Sequence, residues 1–211
     1  MIVAIDGPSA AGKGTLAKRL ARHFDLAHLD SGGLYRAVGL KLLRAGQDPA
    51  DEALALAAAR SLRPAELSDP ALREEATGKA ASIVAAMGPV RQALLDFQRA
   101  FARTPPDGKA GAVIDGRDIG TVVCPEAEAK LFVTASDEVR ARRRSEELQG
   151  RGEIAIYARV LKDMRERDAR DSQRSVAPLV AAEDAFVLDT SDLDADEAFA
   201  AALEVINQKI G

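Results

Sequence analysis

Tryptophan is absent from this chain of 211 residues, aromatic side chains make up only 4%, and there are two histidines and one cysteine. Each scarcity removes a class of function. With so few aromatic platforms, stacking on nucleic-acid bases is a poor recognition device. A single thiol, Cys124, makes no intrachain disulfide, so it reads as a small core residue in a reducing cytoplasm. His23 and His28 have no companions at metal-ligand spacing and read as structural. No apolar run is long enough to cross a bilayer. The chain opens directly on a core strand, without the charged leader and cleavage site of an export signal. A net charge of −4 argues against a general binder of nucleic acid or membrane surfaces. What remains, with 47% hydrophobic and 29% charged residues, is an ordinary soluble globular composition whose length suits one α/β domain with insertions.

The most informative stretch is Gly7 to Thr15, GPSAAGKGT. It follows the apolar run Met1-Ile2-Val3-Ala4-Ile5 and leads into Leu16-Ala17-Lys18-Arg19-Leu20-Ala21, so the predicted order is strand, glycine-rich loop, helix. That order is the setting a phosphate-binding loop (Walker A) requires. Gly7 and Gly12 bracket Pro8, Ser9, Ala10 and Ala11, letting the loop turn consecutive N–H groups toward an anion. Lys13 follows as a mobile point charge for the outer phosphates, above the positive end of the helix. Gly14 stands where the strict pattern has Ser or Thr, and Thr15 carries the hydroxyl instead.

Further along, Ala27-His28-Leu29-Asp30 reads as a short strand, Ser31-Gly32-Gly33 as a break, and a helix is predicted from about Leu34 to Ala45-Gly46. Asp30 and Ser31 serve equally as N-cap or as substrate contacts. Arg36, in the first helical turn, gains nothing from the helix dipole and favours an anionic partner. Helices are predicted over Asp51 to Arg60, Ala71 to Ala86 and Pro89 to Arg103, with no strand between them, which marks an inserted helical block. Within it Ser82 and Arg91 are polar residues among Ala, Ile, Val and Leu. Ala112-Val113-Ile114-Asp115 is a buried strand ending in a carboxylate, a common place for a group near Mg²⁺ although an ordinary turn also accounts for it. Strands are also predicted at Lys130 to Ala135 and Ala185 to Thr190, and a closing helix at Ala195 to Ile206. Between Val139 and Arg174 lie ten arginines interleaved with acids. Several, Arg142 and Arg143 among them, read as a salt-bridged surface. The preference for Arg over Lys nevertheless suits phosphate recognition and suggests a lid.

Two reactions fit a phosphate loop: phosphoryl transfer, or a nucleotide-dependent switch. A guanine-reading Asn-Lys-x-Asp motif is absent, and Asp30-Ser31-Gly32-Gly33 is only a loose switch match. Self-supplied arginines favour transfer. A phosphate acceptor, largely dianionic at neutral pH, needs cations rather than a base, which fits the many arginines.

GPSAAGKGT, LDSGGLYRA, ASIVAAMGPVRQALLDFQRAF, VIDGRDIGTVVCPEAEAKLFVTAS and RDARDSQRSVAPL, in this order over most of the chain, resemble the bacterial cytidylate kinases. The resemblance implies an α/β, three-layer P-loop fold with a central parallel β-sheet, a helical NMP-binding insertion (about 36–103), an Arg-rich helical lid (about 151–174) and a core of about 1–35, 104–150 and 175–211. It implies a cytoplasmic transferase of pyrimidine nucleotide metabolism that converts ATP plus CMP or dCMP to ADP plus CDP or dCDP with Mg²⁺; a monomer is the expected state, because nothing in the sequence marks a large exposed apolar face. The alternatives are a kinase for UMP or AMP and a non-enzymatic switch. Carried onto matching positions, Gly7 to Thr15 hold the ATP phosphates and Lys13 neutralises the moving charge. Ser82 and Arg91 read the cytosine edge, with Arg174 joining them. Ser31, Arg36, Arg117 and Asp118 surround the acceptor phosphate, Asp118 as an organiser rather than a base. Arg167 and Asp171 belong to the lid, Asp171 accepting from a ribose hydroxyl. Thr15 or Asp115 could contact the metal. The chain departs from the family between Arg60 and Asp69, where members usually carry a longer segment with short strands.

Overall fold

In a computed structural model that describes residues 1–174 and 176–210, five short strands form one parallel sheet. They are β1 (Ile2–Asp6), β2 (Ala27–Asp30), β3 (Ala112–Gly116), β4 (Ala129–Thr134) and β5 (Phe186–Asp189), in the order β2-β3-β1-β4-β5. β1 lies at the centre, pairing Ile2 to Asp6 with Ala112 to Gly116 on one side and Val3 to Asp6 with Ala129 to Phe132 on the other. Its nearly continuous apolar run is what a strand buried on both faces requires. β5, at the edge, buries only Leu188.

The chain divides into two compact units, Met1–Leu29 with Pro105–Gly211, and Asp30–Thr104. Ser175, which falls in RDARDSQRSVAPL, and Gly211 lie outside the described residues. In the first unit, helices α1 (Lys13–His23) and α8 (Ala195–Ile210) pack on the sheet. Their core joins Leu16, Leu20, Ala202 and Ile206 to Val3, Ile5, Val113, Leu131, Val133 and Leu188. Two charged helices, α6 (Asp137–Gly150) and α7 (Tyr157–Ser172), meet over a small apolar cluster of Ala141, Leu148, Val160 and Met164.

The second unit is built from α2 (Ser31–Arg44), α3 (Glu52–Arg60), α4 (Glu75–Val84) and α5 (Gly88–Arg103) around Leu34, Val38, Leu42, Ala55, Val84, Val90 and Leu94. Gly39 lets α2 and α4 meet closely, since a Cβ there would lie 2.9 Å from that of Ala80. Two boundaries differ from expectation. α2 begins at Ser31, not Leu34, because the Asp30 carboxylate accepts the Gly33 N–H at 3.1 Å and caps the helix ahead of the glycines. The helix expected from Ala71 is a 3₁₀ turn over Pro70–Arg73, capped by Asp69, and extended backbone at Glu74 separates it from α4. The segment from Arg60 to Asp69 holds a 3₁₀ turn at Pro64–Ser68 and no strand among the described residues.

Candidate active site

The GPSAAGKGT stretch joins β1 to α1 as a loop whose backbone is specialised at three points. Gly7 has φ 146°, and a Cβ there would fall 1.9 Å from the Val133 carbonyl oxygen, so only glycine fits. Ala10 sits at φ 59°, a left-handed conformation that costs a non-glycine residue energy and clusters at functional sites. Gly12, at φ 88°, precedes α1, whose first turn holds no acidic residue and no side-chain cap. The positive end of that helix is thus left to an external anion. Lys13 is buried, its Nζ donating to the Pro8 carbonyl at 3.2 Å. Beside the loop lies a cleft of about 330 Å³ lined by Gly12, Thr15, Leu16, Arg143, Thr190 and Leu193.

The second constellation starts at the end of β3. Arg117 Nε donates to Asp171 Oδ2 at 2.9 Å, joining residues 54 positions apart in sequence. Arg167 Nε lies 4.0 Å from the same oxygen, and Arg174 Nε donates to the Asp171 carbonyl at 3.2 Å. Burial pushes the Asp171 carboxyl up, but the guanidiniums of Arg117, Arg167 and Arg174 outweigh it and hold the group below the usual carboxylate range. Three predicted arginines thus converge on one predicted acid. Asp118 is also buried. Such a cluster brings several forked donors to one place, the arrangement a phosphate dianion would engage.

Other residues have different surroundings. Asp115 pairs with His28, whose Nε2 lies 2.8 Å from Asp115 Oδ2. Thr15 is exposed at the loop mouth. In the helical unit Ser31 is buried and Arg36 half-buried in the first turns of α2. The Ser82 hydroxyl, on α4, is buried without a hydrogen-bond partner among the described residues. Arg91, on α5, is buried, donates to the Ala85 carbonyl at 3.2 Å and lies 5.5 Å from the centre of the Tyr35 ring. A larger cleft of about 640 Å³ in this unit, lined by Leu34, Leu56, Leu62 and Phe97 among others, contains none of the predicted site residues.

Three contributors escape a reading of the sequence. Asp6 is buried and accepts the N–H groups of Ile119 and Gly120, both at 2.8 Å. Arg140 is buried on α6, bonded to Asp168 at 2.6 Å, to the Ala135 carbonyl at 3.0 Å and to the Ser9 carbonyl of the phosphate loop at 3.3 Å. Arg143 departs from the expected surface ion pair: it donates to the Thr190 hydroxyl at 3.0 Å and the Thr190 and Leu193 carbonyls at 2.7 and 3.2 Å. Arg142 stays exposed, and Arg144 and Arg165 form surface ion pairs with Glu147, Asp137 and Glu138. Spacing alone could not separate Arg140 and Arg143 from their neighbours, because that choice depends on which side of α6 meets the sheet.

Comparison with known proteins gives one answer. Residues 3–208 match the family model described as Cytidylate kinase. The chain is 66% identical over 208 residues to a cytidylate kinase of Paramagnetospirillum magneticum, covering 99% of this chain and 98% of that protein. It is 60% identical over 209 residues to one of Rhodospirillum rubrum, with coverage of 99% and 98%. Among solved structures, an uncharacterized protein from Eubacterium ventriosum superposes with TM-score 0.57 at 15% identity, covering 98% of both chains. A sugar kinase from Janibacter sp. HTCC2649 does so with TM-score 0.50 at 14% identity, covering 98% of this chain and 94% of that one. At such identity these two likenesses speak for the fold alone.

Proposed function

The chain belongs to the cytidylate kinase family, and from that premise we propose how its residues carry the γ-phosphoryl group of ATP to CMP or dCMP, giving CDP or dCDP. The observation that carries the reading is the convergence of Arg117, Arg167 and Arg174 on Asp171 in the same unit as the phosphate loop. ATP phosphates lie in the loop of Gly7, Pro8, Ser9, Ala10, Ala11, Gly12, Lys13, Gly14 and Thr15, against its inward amides and the start of α1. Lys13 swings from the Pro8 carbonyl to the outer phosphates. Arg117 and Arg167 leave Asp171 for phosphate oxygens and stabilise the charge that spreads over the transferring group. The acceptor oxygen is already anionic at neutral pH, so Asp118 acts as an organiser and no proton need be removed.

Ser82 and Arg91 read the base. The orphaned Ser82 hydroxyl supports this, since a buried polar atom gains most from a ligand that completes it. Its oxygen accepts from the exocyclic amine of cytosine, and Arg91 donates to the ring's acceptors. Ser31 and Arg36 hold the acceptor phosphate, and Asp171, once relieved of its arginines, takes a ribose hydroxyl.

Mg²⁺ is implied by the family. Among the described residues no group of three or more His, Cys, Asp or Glu side chains forms a metal cage, and Asp115 already engages His28. The exposed Thr15 hydroxyl fits an ion that arrives on the nucleotide phosphates and keeps mostly oxygen ligands from them and from water. Thr15 would hold that ion, which supplies positive charge at the phosphates. The enzyme works as a cytoplasmic monomer, a compartment that the single buried Cys124 supports.

Steady-state kinetics of Arg91→Ala test the base reading. The KM for CMP should rise by about ten- to a hundred-fold while that for ATP stays within about twofold, as expected when a buried charged hydrogen bond to one substrate is lost. An equal rise in both would remove Arg91 from base recognition.

A further inference from the structure

Asp6 ends the central strand and is only 4% exposed, yet no step above uses it. Its carboxylate reaches across to a turn 113 residues away, with Oδ1 accepting from Ile119 and Oδ2 from Gly120. Those amides open the π-type turn Ile119–Val123, where no residue within the turn can satisfy them and Asp118 offers no side-chain cap. Asp6 therefore caps this turn from another strand. On one side of it stands Gly7, the first residue of the phosphate loop. On the other, immediately before the capped turn, stand Arg117 and Asp118.

A neutral amide side chain would present an acceptor to one of these N–H groups and a donor to the other. The charged one is held in place against its own desolvation: burial, opposed by the Gly120 and Ile119 N–H groups, raises the Asp6 carboxyl from 3.8 to about 6, with Asp118 adding to the rise and Lys13 opposing it. A group that is costly to keep ionised and that joins two parts of an active site is the expected form of a functional constraint rather than a fold-stabilising one.

We propose that Asp6 is a positioning residue for phosphoryl transfer: by clamping the amides of Ile119 and Gly120 it fixes Arg117 and Asp118 in register with the strand that delivers the phosphate loop. The proposal rests on the kinase reading. Asp6→Asn keeps size and one acceptor but turns an amide group toward the second N–H, so the clamp opens. Misplacement by about 1 Å costs about a hundred-fold in rate. The variant should therefore lose about ten- to a hundred-fold in kcat with CMP, keep an ATP KM within about twofold, and melt at or above the wild-type temperature. Gly120→Ala attacks the same clamp from the other side, since its Cβ would meet Asp6 Oδ2 at 3.4 Å and Lys130 Cδ at 3.2 Å.

The test is kcat, KM and thermal melting for wild type, Asp6→Asn, Gly120→Ala and the double variant. A double variant no slower than the worse single one, with Asp6→Asn as thermostable as wild type, is the result expected of a shared clamp. Wild-type kcat in Asp6→Asn, or activity lost only in step with melting temperature, overturns the proposal. If Asp6→Asn fails to fold, Gly120→Ala decides by the same two criteria. Wild-type protein that turns over ATP without dependence on CMP would instead remove the kinase reading, and the proposal with it.

Discussion

Asp171 and Asp6 are both buried carboxylates, and their surroundings drive them in opposite directions. Arg117, Arg167 and Arg174 overcome burial at Asp171 and keep it ionised, so its contribution to stability is present above the ordinary carboxylate pKa and is lost as pH falls through the depressed one. At Asp6 the native state binds the proton more tightly than the unfolded chain does. Its contribution is complete below 3.8, is lost as pH rises through about 6, and leaves a deficit of about 3 kcal/mol at neutral pH. Urea denaturation of wild type and Asp6→Asn checks this: the variant's advantage should grow between about pH 4 and about pH 7 by an amount of that order. An advantage independent of pH would mean that Asp6 does not titrate as its burial requires. At this scale the sequence was partly legible. Lys13 and the nine-residue loop stood out because they are contiguous. Asp6 did not, because its two partners lie 113 and 114 residues away.

At the scale of elements, the strands could be recognised because each is a short apolar run, and the phosphate loop because a strand and a helix flank it. Where expectation missed, one local interaction had decided the matter. Two glycines suggested a break before α2, yet the Asp30 cap draws Ser31-Gly32-Gly33 into the helix. On α6, Arg142 and Arg143 are adjacent, but only Arg143 reaches the Thr190–Leu193 loop, so one is surface and the other ties the helix to the cleft. The loop itself depends on close approach to β4. Gly7→Ala places a methyl group 1.9 Å from the Val133 carbonyl oxygen at a φ unfavourable to alanine, so β1 and β4 must separate locally. The variant should lose several kcal/mol of stability, about 2 to 4, together with measurable binding of ATP. Calorimetry and nucleotide titration test it. A stable variant with unchanged ATP affinity would contradict the loop geometry described here.

Across the whole molecule, family membership accounts for the activity and its acceptor, while the proposed route of transfer rests on a parallel sheet with a phosphate loop at the end of its central strand and on an arginine-rich helix pair. The fold class could be read from the order of strands and helices and a phosphate acceptor from the arginines, but its cytosine base came from the family motifs alone. Ser82 and Arg91 are two polar residues in an apolar helical stretch, and only burial, with the Ser82 hydroxyl left unsatisfied, gives them physical weight. The measurement that bears most directly on the account is ADP release from Mg-ATP by the purified protein with CMP, dCMP, UMP, AMP and GMP supplied separately. Turnover should depend on the acceptor and be fastest with CMP or dCMP. Equal or faster turnover with UMP or AMP would contradict base reading by Ser82 and Arg91, and slow ATP hydrolysis indifferent to any acceptor would contradict the transfer itself.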